Sequence, residues 1–222
     1  MNKIKNYQEI INSKIEKIRI QGTPNELYDP INYILNLKSK RVRPILSLLS
    51  YSLFKEDIDK ITEPAIALEF FHNFTLIHDD IMDNADIRRG EDTIHKKWNN
   101  NIGILAGDLL MIFAYKMLEN VEAKTFKKTF QRYNNIAVKV CEGQQYDMNF
   151  EVKNEISEDD YLKMITLKTA VLIGFSLELG GLIANKEKLI TDRLYIAGEN
   201  FGISFQLMDD YLDVFGSAEF GK

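Results

Sequence analysis

Apolar residues recur every three or four positions along nearly the whole chain, the period of an α-helix. Ile4, Ile11, Ile15 and Ile18 keep that spacing among lysines and glutamates, which predicts an amphipathic helix over 4–20, punctuated by Gly22-Thr-Pro24. A second helix is expected from about Pro30 into Leu37, and Pro44 suits the start of a third. Ile45 to Phe54 is apolar on nearly every side, as a buried helix would be. Thr62 followed by Pro64 reads as an N-cap opening a helix that carries His72, with Phe70, Phe71, Phe74, Leu76 and Ile77 as its apolar surface. Gly90 is expected to end that segment, and Trp98 to Gly103 reads as loop.

From Ala106 to Glu119 the pattern is helical again, with Leu109, Leu110, Ile112 and Phe113 expected inward. Another helix spans Lys127 to Gln145, followed by a polar connection from Val152 to Ser157. Ser157-Glu-Asp-Asp160 resembles a capping box, so a helix carrying Lys168 and Thr169 should start there. Gly180-Gly181 and a lysine-rich turn precede a last helix, capped by Thr191 and running through Gly202 to Val214. No segment alternates convincingly with period two. The expected fold is one all-α domain over residues 1–222.

Composition narrows the class. With 222 residues, 45% of them hydrophobic and 27% charged, the chain has the balance of an ordinary globular domain. A net charge of −5 argues against general nucleic-acid binding. The single cysteine, Cys141, excludes an internal disulfide and fits a reducing cytoplasm. The N-terminus lacks the apolar run of a signal peptide, and Ala170 to Ala184, interrupted by Glu178 and glycines, is too short to span a bilayer. A soluble protein is expected.

Against that background the acidic pattern stands out. Asp79 and Asp83 lie four residues apart, so a helix stacks them on one face, with Asp80 beside them. Like charges at that spacing repel unless something positive neutralises them. Arg88 and Arg89 follow, two guanidinium forks suited to phosphate oxygens. Carboxylates beside such a clamp point to Mg²⁺ shared with a substrate phosphate. Alone, the cluster is equally compatible with a solvated helix end. Gln206-Leu-Met-Asp-Asp-Tyr-Leu-Asp213, however, repeats the pattern through Asp209, Asp210 and Asp213. His72 lies seven residues before Asp79 and Gln206 seven before Asp213, nearly two helical turns, so each shares its acid's face. Burying six acids without partners would be prohibitive, whereas lining a wet site for Mg²⁺ and a diphosphate makes them tolerable.

The paired Asp-Asp-x-x-Asp motifs, the first followed by Arg88-Arg89-Gly90, resemble those of the trans-isoprenyl diphosphate synthases. Other family landmarks appear in order: Lys40-Arg-Val-Arg-Pro44, His72, Gly107-Asp108, Gly143-Gln-Gln-Tyr-Asp147, Lys168-Thr169, Phe205-Gln206 and Phe220-Gly-Lys222. The likeness runs from about residue 38 to the end. It implies an antiparallel helical bundle around a deep central cavity, working as a homodimer on isopentenyl diphosphate and an allylic diphosphate. It further implies three Mg²⁺ ions per site, held by Asp79 and Asp83 from one wall and Asp209 from the other. Asp80, Asp210 and Asp213 would complete the metal site through water or second contacts. Arg88, Lys168, Thr169, Gln206 and Lys222 match positions that hold the allylic diphosphate; Lys40, Arg43, His72 and Arg89 match those that hold isopentenyl diphosphate. Lys168 and the main chain near Thr169 would steady the allylic cation. Taken alone, Lys40 and Arg43 could be a solvated charge run and His72 a satisfied core histidine.

Phe71, Phe74 and Thr75 precede Asp79 on the same helix and are the expected floor for the growing chain. Phe74 lies about 7.5 Å below Asp79 and Phe71 about 12 Å below. In the family an aromatic at Phe74's position marks short products of fifteen or twenty carbons, and the first motif lacks the two-residue insertion of many bacterial farnesyl synthases; together these favour geranylgeranyl diphosphate, with farnesyl diphosphate close behind, and ordinary core packing is the other reading of the phenylalanines. Two departures from the family pattern stand out. Lys38 and Ser39 replace the usual glycines, and family members continue for several helices beyond Lys222. A chain of this extent is therefore expected to fold but to be catalytically impaired. A terpene cyclase of the same class and an inactive regulatory subunit are the rival readings. The second aspartate motif and the Lys40, Arg43, His72 group speak against the cyclase.

Overall fold

The structure, a computed structural model, describes residues 2–216. Among the described residues it is all-α apart from one hairpin of two two-residue strands. The described residues group into two compact units, one of 2–45 with 62–120 and one of 46–61 with 121–216.

The first unit holds α1 (Asn2–Lys17), α2 (Asn25–Asn36), the start of α3 (Val42–Tyr51) and most of α4 (Asp59–Met82). The hairpin β1 (Ile87–Arg88) and β2 (Glu91–Asp92), the short α5 (Ile94–Lys97) and α6 (Asn100–Leu118) follow. Its core takes Ile11 and Ile15 from α1, Ile31, Ile34 and Leu35 from α2, and Phe70, Phe71 and Ile77 from α4. Helix α6 buries Gly103, Ala106, Gly107, Leu110, Ala114 and Leu118, a stripe at helical spacing. The small residues set the approach to α4: a β-carbon on Gly107 would lie 2.3 Å from His78 Nε2.

In the second unit α7 (Ala123–Glu151), α8 (Glu158–Ile165), a π-helical turn (Thr166–Ala170), α9 (Val171–Ile183) and α10 (Lys188–Phe215) pack on the remainder of α3 and the first turn of α4. Ser157 caps α8 as expected, its hydroxyl accepting from the Asp160 amide at 3.1 Å. Helix α9 is buried almost throughout, and Ser47 and Ser50 of α3 donate to its Ser176 and Leu177 carbonyls.

Several local expectations are corrected. Helix α2 begins at Asn25, five residues early; burial of Pro30 with Ile31 and Ile34 outweighs its missing N–H. Thr62 is a buried residue inside α4 rather than its cap, and Asp57 serves the first turn by accepting from the Asp59 amide. Helix α4 stops at Met82, and Gly90 instead turns the hairpin: Arg89 and Gly90 have φ of 57° and 81°, the left-handed pair that a two-residue turn demands. The 98–103 segment is not loop, because Asn99 caps α6 by accepting from Ile102. Ile112 points outward. Helix α9 runs through Gly180-Gly181, and Thr191 lies buried within α10. The π turn also joins α8 to α9, so Glu158–Ile183, like Asn100–Leu118, has the length and apolarity of a bilayer span; 72% of the former's apolar window is buried inside the protein. Burial, which local propensity does not see, decided the boundaries misjudged at Pro30, Thr62, Gly180 and Thr191, whereas turn geometry decided Gly90 and the Asn99 cap the start of α6.

Candidate active site

In the first unit the C-terminal end of α4 presents the first acidic triplet. Asp79 is half-buried, Asp83 exposed and Asp80 buried. The hairpin folds back so that Arg88 donates Nε at 3.0 Å and Nη2 at 2.5 Å to one Asp80 oxygen. Burial pushes the Asp80 carboxyl up, opposed by the Arg88 bond. Thr93 fastens the hairpin base by donating to the Ala85 carbonyl at 2.8 Å. Arg88 thus braces an aspartate in this structure, while Arg89 donates to Asn73 Oδ1 at 3.3 Å. Adjacent in sequence, the two arginines have different partners.

One to two turns earlier on α4, His72 sits among cations. Burial, then Arg43, Arg89, Arg88 and Arg41, holds its pKa well below the ordinary imidazole value, so the ring is neutral near pH 7. The Arg43 guanidinium is itself pushed down to about 10 by burial, against the pull of Glu69. Lys40 is exposed. Sequence reasoning missed Arg41, which is 4% exposed and paired with Glu69 at 2.7 Å. Its only signal was a third cation inside the Lys40–Arg43 run. Of the expected floor residues, Phe71 is buried, whereas Phe74 and Thr75 are half-exposed. The Phe74 ring stands edge-on to His78 at 4.8 Å and 5.6 Å from Phe71.

In the second unit, α10 carries the second triplet, with Asp209 half-buried and Asp213 exposed. Asp210 accepts from the Tyr161 hydroxyl at 2.5 Å and from Gln206 Nε2 at 2.7 Å, and Gln206 Oε1 accepts from Thr169 at 2.9 Å. Burial and the Asp210 bond push the Tyr161 phenol up to about 12. Tyr161 carried no sequence signal. Lys168 is ion-paired with Asp147 of α7. Lys168 and Thr169 lie on the π turn, where the Val171 amide reaches back five residues to Thr166. Such turns release a carbonyl from the regular ladder and favour functional sites. Gly143 admits the turn against α7: a β-carbon there would lie 2.2 Å from the Lys168 nitrogen. Lys222 and the Phe220 motif lie outside the described residues.

The two triplets share one design. The middle acid of each is tied to protein donors. Among the described residues, Asp83 and Asp209 carry no side-chain hydrogen bond or ion pair, and no cluster of three or more His, Cys, Asp or Glu could hold a metal by itself. This donor set fits Mg²⁺, which takes one or two carboxylates and completes its octahedron with water and substrate phosphates.

The Polyprenyl synthetase family profile matches residues 24–222. A geranylgeranyl pyrophosphate synthase of Geoglobus acetivorans is 38% identical over 99% of this chain, which covers 69% of that relative. A solved structure titled geranylgeranyl pyrophosphate synthase superposes with a TM-score of 0.96 at 45% identity, over 100% of this chain and 68% of its own. A polyprenyl synthase from Caulobacter crescentus, complexed with calcium and isoprenyl diphosphate, superposes with a TM-score of 0.89 at 26% identity, over 98% of this chain and 66% of its own.

Proposed function

We propose that this chain, which belongs to the polyprenyl synthetase family, is a trans-prenyltransferase joining isopentenyl diphosphate to dimethylallyl, geranyl or farnesyl diphosphate, with a product of the farnesyl to geranylgeranyl class. The observation that carries the residue assignment is the shared design of the triplets: a middle acid tied to protein donors, beside Asp83 in one and Asp209 in the other, which carry no side-chain hydrogen bond or ion pair among the described residues. Asp79, Asp83 and Asp209 are the proposed Mg²⁺ ligands, three ions being the expected complement, with Asp213 acting through water. Bound there, Mg²⁺ would neutralise the diphosphate as it departs.

The chain's own residues do the rest. Lys168, Thr169 and Gln206 orient the allylic diphosphate, joined by Arg88 once it exchanges Asp80 for phosphate oxygens; Lys222 is assigned the same role. Lys40, Arg43, Arg89 and neutral His72 hold isopentenyl diphosphate by charge and hydrogen bonds, without metal. The allylic C–O bond breaks with its electron pair leaving on the diphosphate, and carbonyls of the π turn face the cation so formed. The isopentenyl double bond attacks that cation, and the proton lost from the adduct passes to the released diphosphate. No nucleophilic side chain is required.

The homodimer reading is supported by α6, whose Ile104, Leu105 and Ile112 form an exposed apolar face at helical spacing. A cytoplasmic site of action is supported by the one exposed cysteine, Cys141. Incubation with Mg²⁺, isopentenyl diphosphate and each primer separately should give products lengthened by five-carbon units, read by mass spectrometry. Cyclic products formed without isopentenyl diphosphate would establish the cyclase instead, and no turnover with any primer would favour the regulatory subunit.

Phe74 is proposed as the floor of the product channel. Phe74→Ala should shift the product distribution by at least one isoprene unit toward longer chains. An unchanged distribution would return Phe74 to simple packing.

A further inference from the structure

The cationic group of the first unit contains a carboxylate that an anion-binding pocket would ordinarily exclude. Glu69 is 1% exposed, and it couples electrostatically to Arg43 and Arg89 as well as pairing directly with Arg41. A negative charge so near would by itself weaken diphosphate binding, and burying it is costly unless it is fully partnered. Its partners account for its presence. Glu69 Oε1 accepts from Arg41 Nη1 at 2.7 Å and from Asn73 Nδ2 at 3.3 Å. Arg41 is anchored in turn by the Leu35 carbonyl at 2.6 Å and Asn12 Oδ1 at 3.2 Å. Asn73, one helical turn beyond Glu69 and fully buried, also donates to the Glu69 carbonyl at 2.7 Å and turns its Oδ1 to Arg89 Nη1. A continuous chain of bonds therefore links Asn12, Arg41, Glu69, Asn73 and Arg89. Both of its arginines have left-handed backbones, with φ of 51° at Arg41 and 57° at Arg89, conformations that side-chain-bearing residues keep only where surrounding contacts hold them.

We propose that Glu69 and Asn73 are positioning residues for the second substrate's diphosphate. Glu69 compensates the clustered guanidinium groups before that diphosphate arrives and fixes the loop that enters α3 through Arg41, while Asn73 aims Arg89. The inference rests on the reading of Lys40, Arg43, His72 and Arg89 as the isopentenyl diphosphate pocket.

The sign of one substitution separates this role from plain electrostatics. Removing a negative charge beside an anion site should tighten binding, whereas removing a strut should loosen it. In titration calorimetry on the whole chain, Glu69→Gln should bind isopentenyl diphosphate about tenfold more weakly, the scale of one charge-assisted hydrogen bond. It should bind geranyl thiolodiphosphate, an unreactive allylic analogue, within about twofold of the wild type. Asn73→Ala leaves the Arg41–Glu69 pair intact and carries the test if Glu69→Gln does not fold; a several-fold loss confined to isopentenyl diphosphate is expected. Equal or tighter isopentenyl diphosphate binding by the variants overturns the proposal. So does equal weakening of both ligands, which would mark a merely structural network. A wild-type chain that binds the allylic analogue but no isopentenyl diphosphate overturns the pocket reading and this inference with it.

Discussion

Asp79→Ala should lower prenyl transfer by about 10³-fold, the rate equivalent of about 4 kcal/mol of transition-state stabilisation lost with one metal ligand. The expectation follows from the division of labour in the first triplet. Asp79 stands half-buried at the last full turn of α4, and Asp83 follows on the same face. Asp80 is already committed to Arg88. Asp80→Asn should therefore behave differently. It unties the hairpin, so melting temperature should fall while the Mg²⁺ concentration giving half-maximal turnover stays near the wild-type value. Incorporation of labelled isopentenyl diphosphate across a Mg²⁺ titration, with thermal melts alongside, measures both. If Asp79→Ala kept more than a tenth of wild-type turnover, or if Asp80→Asn showed the larger demand for Mg²⁺, the assignment of roles within the triplet would be wrong.

Gly143→Ala should rank second. A β-carbon at Gly143 would sit 2.2 Å from the Lys168 nitrogen and 2.6 Å from the Leu167 carbonyl carbon, both backbone atoms that no rotamer change can move aside. The π turn carrying Lys168 and Thr169 must shift. A displacement of about 1 Å in a positioning element costs about 10² in rate, and overpacking of this kind costs about 1–3 kcal/mol of stability. Gly180→Ala is the control. Its β-carbon would lie 1.9 Å from Ser50 Oγ and 2.4 Å from the Tyr51 nitrogen, comparable crowding at residues with no proposed catalytic part. Gly180→Ala should lose stability yet keep kcat at a temperature where it is folded; Gly143→Ala should lose kcat under the same conditions. Similar kcat for the two variants would show that the close approach at Gly143 serves packing alone.

These expectations draw unequally on sequence and structure. Helix content, the acidic faces and the cationic run were legible because they are local. A residue's direction on a helix follows from its number at about 100° per position, so Asp79 and Asp83, or Asp209 and Asp213, could be placed on common faces without coordinates. The Ser157 cap was legible for the same reason. Helix ends were read less well where tertiary burial outweighed local signals. Thr62 and Thr191 have the chemistry of caps but are buried within helices, and Gly180-Gly181 continues α9 because the helix lies against Ser50 and Tyr51 of α3. The π turn had no sequence signature; a one-residue widening of the ladder leaves the apolar period nearly intact.

The amino-acid sequence by itself determined which residues could do chemistry with a metal and a diphosphate, since carboxylates at helical spacing and guanidinium forks are properties of residue type and local geometry. Only the tertiary structure decided which of them are committed to the protein itself. Asp80 is braced by Arg88 eight positions away, and Asp210 by Tyr161 forty-nine positions away. Arg41 is turned inward to a buried Glu69 while its neighbour Lys40 faces solvent. Whether a charged side chain is a ligand in waiting or a strut depends on how much water and which partner its fold leaves it, and both are set by residues far away in the chain.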